Sequence, residues 1–201
     1  MIKVITAPAA YPVTATEARE WCRIDTADTS QDNVITLLIA AMTDYAEHLT
    51  GRAFVERTLE LDLPYFPGTI ELPWPPLIGI DSITYIDANE ASQTFASANY
   101  EVDTVREPGR VRPISTSAWP STGTRFNPVK VKYRAGYACP FSPIDLTDNS
   151  YLPAAMRTWI AARFATLYEH REQLVFNNRI EIPRSFADGL LDALLIGSRL
   201  F

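Results

Sequence analysis

Few side chains in this sequence are of the kind that moves protons or holds a metal. There are two histidines, His48 and His170, two cysteines, Cys22 and Cys139, and a close pair of aspartates in Asp145 and Asp148. A small hydrolase would draw on Asp145, Asp148 and His170, yet these follow no recognisable catalytic spacing. No Gly-x-Ser-x-Gly elbow, Walker loop or HExxH sequence occurs. The two aspartates lack the ligand spacing of a calcium loop. They read more simply as capping and turn residues ahead of Pro153. His48 falls in the last turn of an expected helix, where the helix dipole favours a cation. His170 lies inside the sequence YEHRE near the end of another. Both read as structural or surface residues. The cysteines have no CxxC partner, so neither a redox motif nor a zinc site is indicated. Free thiols in a reducing compartment are expected. No cofactor is indicated, and the sequence is read as that of a protein that is not an enzyme.

The remaining chemistry is charge. Net charge is −6, unevenly spread. Residues 1–103 carry 5 basic and 16 acidic side chains, a balance of −11. Residues 104–134 carry Arg106, Arg110, Arg112, Arg125, Lys130, Lys132 and Arg134 against Glu107 alone, a balance of +6. Such a chain is expected to offer one acidic and one basic region, able to meet its own copies with opposite signs facing. The alternative is a solvated strand face. The basic stretch is also the one candidate nucleic-acid surface, acting on phosphates without sequence readout. Trp119, Phe126 and Tyr133 lie nearby but do not form the repeated pattern of a stacking platform.

The elements that must position these residues are read from periodicity. With 47% hydrophobic and 21% charged residues, a packed core is expected and global disorder is excluded. The opening MIKVITAPAAYPV is extended, and too short and proline-broken for a signal peptide. No apolar run reaches membrane-spanning length. Thr14 and Glu17 have capping-box spacing, predicting a short helix to about Arg23 with Ala18, Trp21 and Cys22 inward. A second helix runs from about Gln31, behind caps at residues 28–30, to Gly51. It carries two adjacent apolar stripes. Val34, Leu38, Ala41, Tyr45 and Leu49 form one; Ile35, Ile39, Met42 and Ala46 form the other. A face that wide belongs between neighbours, in its own domain or in another subunit.

Residues 54–135 read as β, with strands at 57–63, 69–73, 79–87, 93–96, 99–103, 110–114 and 128–134. Within them, Leu72-Pro-Trp-Pro-Pro-Leu77 is a stiff corner that either buries Trp74 locally or presents it to an adjacent subunit. Helix resumes near Pro153 and runs to about Gln173, with Met156, Trp159, Ile160, Phe164 and Leu167 on one stripe. A last helix is expected from about Arg184. The fold class is therefore α+β: a helical body from residues 1–53 and 150–201, with an antiparallel β lobe inserted at 54–149.

The ordered motifs resemble those of a known family. They begin with Pro12, Val13, Thr14, Glu17 and Ala18, then Arg23-Ile24-Asp25. Next comes the helix LIAAMTDYAE at 38–47, closing on Thr50-Gly51-Arg52. Leu59, Leu61 and Leu63 lead to Ile70-Glu71-Leu72-Pro73, and then to Ile83-Thr84-Tyr85. Tyr100, Val102 and Asp103 follow, with Trp119-Pro120, VKVKYRAGY at 129–137, and the helix from Leu152-Pro153 to Glu172. Over residues 10–173 the chain resembles the head–tail connector (adaptor, or head-completion) proteins of long-tailed bacteriophages and related gene-transfer particles. The resemblance implies a homo-oligomeric, twelvefold ring docked beneath the portal protein. Such a ring extends the DNA channel and receives the next neck or tail protein, a stopper or tail terminator. It implies a virion-neck location after assembly in the host cytoplasm, passive contact with packaged DNA, no membrane and no catalysis. Candidate portal contacts are Arg184, Phe186, Leu190, Leu191, Leu194, Leu195, Leu200 and Phe201, although this helix could equally cap its own body. Candidate subunit or channel contacts are Trp74, Arg110, Arg112, Lys130, Lys132 and Arg134.

Overall fold

A computed structural model describes residues 1–137, 151–169, 189–192 and 194–196. Helices and antiparallel sheets are both present, so the fold is α+β. The chain divides into two compact units: Met1–Ala9 with Glu56–Gly136, and Ala10–Val55 with Tyr137–Phe201.

The first unit is β. Its strands are β1 (Ile2–Thr6), β2 (Arg57–Leu63), β3 (Ile70–Leu72), β4 (Leu77–Ile86), β5 (Ser92–Phe95), β6 (Tyr100–Asp103), β7 (Gly109–Pro113) and β8 (Val129–Ala135). One sheet has the order β1-β2-β8-β4-β5, the other β3-β7-β6, and every pairing is antiparallel. Strict alternation makes β8 the centre of the larger sheet. Val129, Val131, Tyr133 and Ala135 are buried, while Lys130, Lys132 and Arg134 take the other face. Residues from both sheets share one apolar cluster, including Leu59, Leu61, Ile70, Leu72, Ile83 and Val111. Gly109 is required there, because a Cβ would stand 2.5 Å from Leu77 Cδ2.

Residues 1–9, expected with the helices, run instead along β2. The alternation of Ile2 and Val4 suits an edge strand, and the Met1 amine donates to the Asp62 carbonyl at 2.9 Å. At the proline corner Trp74 takes a left-handed backbone, φ 64°. The corner is pinned on both sides. Tyr133 Oη donates to the Pro73 carbonyl at 2.9 Å, and the Gly136 amide donates to Pro76 at 2.9 Å. Trp74 itself is half-buried against the β cluster.

The second unit holds α1 (Ala15–Trp21), α2 (Asp32–Thr50), α3 (Ala154–Glu169) and a single turn, α4 (Gly189–Asp192). The capping box forms as the spacing predicts: Glu17 N–H donates to Thr14 Oγ1, and Thr14 N–H to Glu17 Oε2. Glu17 also pairs with Arg157, whose Nε donates to the Pro12 carbonyl. Gly51 ends α2 at φ 69°, a left-handed conformation that glycine adopts without steric cost. Residues 28–30 do not cap α2. Gln31 holds that position without a side-chain cap, its Oε1 accepting instead from Tyr168 Oη at 2.9 Å, while Asp28 and Asp25 turn back onto the amides of Ser30 and Ala27. The core joins Ile35, Ile39, Ala46, Phe54, Met156, Trp159, Ile160 and Phe164. Tyr137, expected in the β lobe, belongs to this core.

Candidate functional site

His48 lies exposed in the last turn of α2. His170, Asp145, Asp148 and Cys139 fall outside the described residues. Cys22 is half-buried; burial, and secondarily the charge of Glu169, raise its thiol pKa and keep it from being a reactive thiolate. Among the described residues, no group of three His, Cys, Asp or Glu side chains is placed to hold a metal.

The expected separation of acidic and basic regions does not exist in the folded β unit. Strand order places the basic strands against acidic ones. β8 lies beside β2, so that Lys130 faces Asp62 and Lys132 faces Glu60. β7 lies beside β6, so that Arg112 faces Glu101 and Arg110 faces Asp103. Lys130 pairs with Glu60 at 3.3 Å, and Arg134 with Asp81 and Glu56 at 3.1 and 3.3 Å. Arg110 pairs with Asp103 at 3.2 Å, Arg125 with Glu90 at 3.0 Å, and Arg112 with Glu101. The Arg106 amide first, and then the Arg110 guanidinium, hold the Asp103 carboxyl below its ordinary range. Cross-strand pairing thus consumes most of the basic stretch. The sequence could not announce this, because the partners lie up to 78 residues away.

The helical unit shows the opposite behaviour. Of the two apolar stripes on α2, the one with Ile35, Ile39 and Ala46 is buried. The other is mostly open: Tyr45 is 53% exposed and Val34 and Leu49 43% each, with neighbouring Leu37 69% exposed, while Leu38 of that stripe packs against the core. Tyr45 rests on the edge of the core, its ring stacked 6.0 Å from that of Trp159. Leu37, on the same side of the helix, was not assigned to either stripe. Helical spacing from Val34 and Ala41 would have found it.

A second open feature lies between α1 and α3. It is a groove of about 460 Å³ whose lining includes Val13, Trp21, Ala154, Arg157, Thr158 and Ala161. Trp21, expected inward, forms its wall and is 50% exposed. The inward place is taken by Arg19, buried because its guanidinium reaches Asp32 Oδ1 at 2.5 Å and the Thr26 carbonyl at 3.2 Å.

Of the expected portal contacts, Arg184, Phe186, Leu200 and Phe201 lie outside the described residues. Leu191 is buried in the helical core, and Leu190 and Leu194 pack against it. Arg52 Nε donates to the Leu194 carbonyl at 2.6 Å, and the Ile196 amide to Thr50 at 3.2 Å. This segment therefore closes over its own unit, leaving Leu195 exposed.

The comparison that decides the resemblance covers α1, α2 and β2 to β6. Residues 13–108 match the phage gp6-like head-tail connector protein family. The resemblance to head–tail connectors is thereby shown. The whole fold is also similar to solved structures. A chain described as part of the "virion of native gene transfer agent (GTA) particle" is 18% identical, with a TM-score of 0.75, covering 98% of this chain and 96% of that one. A second, from the "neck of empty GTA particle computed with C6 symmetry", is 17% identical, with a TM-score of 0.73 and the same coverage. A third, from the "neck of native GTA particle computed with C12 symmetry", is 19% identical, again with the same coverage and a TM-score of 0.65. No curated protein matches the chain.

Proposed function

We propose that this chain is a structural head–tail connector, assembled as a ring of copies in the neck of a phage-like particle. The ring sits beneath the portal protein, extends the DNA channel and receives the next neck or tail component. The observation that carries this reading is the open stripe on α2. A helix that buries one apolar stripe and leaves a second exposed over four turns is built to be covered by another molecule. The connector-family match and the shared fold with GTA neck proteins support the reading. So does the character of the described surface, which offers contact area rather than reacting groups.

In this ring Arg110, Arg112, Lys130 and Arg134 face a neighbour or the channel as neutralised pairs, not as a basic surface. That removes the motive for a nucleic-acid-binding role, and contact with packaged DNA is passive. Portal contact is proposed through Leu195, the expected portal contact beyond α4 that remains exposed among the described residues. Electron-microscope images and native mass of the full chain, with and without its portal protein, test the proposal. Rings on the portal are expected. A chain that stays monomeric in both preparations overturns it.

A further inference from the structure

A ring needs each copy to offer two different patches, one to each neighbour, because a head-to-tail contact joins unlike surfaces. The helical unit carries two open patches that share no residue. One is the α2 ridge, running about 22 Å from Val34 to Leu49 at the helical rise, with Leu37 and Tyr45 as its large projecting side chains. The other is the groove between α1 and α3. Its α3 side is built from small residues one turn apart, Ala154, Thr158 and Ala161. Its α1 side is the exposed indole of Trp21 with the carboxylates of Glu17 and Glu20, Glu17 being paired with Arg157 of α3. Large side chains on a helix ridge fit between small ones on a facing helix, and a half-exposed tryptophan beside such a slot is the usual anchor of an interface.

We infer that the α2 ridge of one copy docks in the α1–α3 groove of the next. This rests on the ring reading above and specifies its contact. A second copy is the occupant because the ridge is apolar, the groove is apolar over Val13, Trp21, Ala154 and Ala161 with Glu17 neutralised by Arg157, and the two are opposite in relief and carried by the same unit. A ridge packed on a ridge would give a closed dimer and leave every groove empty.

Disulfide trapping tests this in the full chain, with Cys22 and Cys139 replaced by serine throughout. One variant carries Leu37→Cys, a second Thr158→Cys, and a third both. Ring-forming preparations on the portal are oxidised. The double variant is expected to give a covalent ladder extending to ring size. A mixture of the two single variants should give covalent dimers in excess of longer species by at least tenfold, and each single variant alone should give none. Self-linking of Leu37→Cys alone overturns the inference, since ridge would then meet ridge. Rings that form without crosslinking in the double variant also overturn it, leaving the ring reading intact. Failure of the unsubstituted chain to form rings with the portal overturns both.

Discussion

The two units of this chain treat segregated sequence patterns in opposite ways. In the β unit, acidic and basic residues lie far apart along the chain, and the sheet brings them together: β8 against β2, β7 against β6. In the helical unit, two apolar stripes lie side by side on one helix, and the fold covers only one. A long-range pattern met by a partner within the same unit produces a self-sufficient surface. A pattern left unmet produces an interface. Under the proposed ring, the difference would put assembly on the helices rather than on the charged strands.

The largest expected effect tests what holds the helical unit itself together. Trp159→Ala empties the centre of the helical core and should cost about 3–5 kcal/mol in a denaturant titration. A loss below about 1 kcal/mol would mean that this core is not the unit's main support.

Next comes the contrast between stability and assembly. Leu37→Glu should change unfolding free energy by no more than about 0.5 kcal/mol, since the side chain is already in water. It should weaken each subunit contact by about 2 kcal/mol or more, abolishing rings in native mass measurements. Normal rings from this variant would reverse the assignment of the two stripes.

A smaller effect is expected on the β side. Lys130→Glu sets like charges together beside Glu60 and Asp62, and should destabilise the sheet by roughly 1 kcal/mol or less. A Lys130→Glu chain that melts normally but fails to assemble would put an interface on the charged face and break the comparison.

The smallest effects are in pH dependence. Burial raises the pKa of Tyr133 far above the ordinary phenol value while its hydroxyl donates to Pro73. The stability from that neutral phenol is complete below about pH 10, the unfolded value. It declines as pH rises toward the folded value, because the unfolded chain then loses the proton more readily. Tyr133→Phe should flatten this alkaline slope in thermal melts. Glu17 behaves conversely. Burial raises its pKa, but the Thr14 amide and hydroxyl together with Arg157 outweigh burial and leave it lowered. Its contribution is present above the ordinary carboxylate value of 4.5 and fades as pH falls through the lower folded value. Glu17→Gln should remove that acid slope.

Much of the architecture was legible in the sequence. Alternation from Val129 to Ala135 located the central strand, and Thr14 with Glu17 located the first helix start, because both signals are local. Gly51 marked the end of α2 for the same reason. Two readings failed where a distant residue intervened. Arg19 is buried and Trp21 exposed, the Arg19 charge being met by Asp32 in the next helix. The N-terminal residues left the helices because β2 offered them a ladder. The last leucines could contact a portal or cap their own body by sequence alone, and Leu191 lies in that core.

The sequence alone determined the alternation of elements, their caps and turns, the doubled stripe on α2 and the shortage of catalytic groups. These depend on side chains within a few residues of one another, where backbone geometry fixes which of them share a face. Only the tertiary structure decided which stripe of α2 stays open, that Trp21 walls a groove, and that the basic stretch is neutralised. Each depends on which strand or helix becomes a neighbour. That choice minimises exposed apolar area and unpaired charge over the whole unit, and no local pattern carries it.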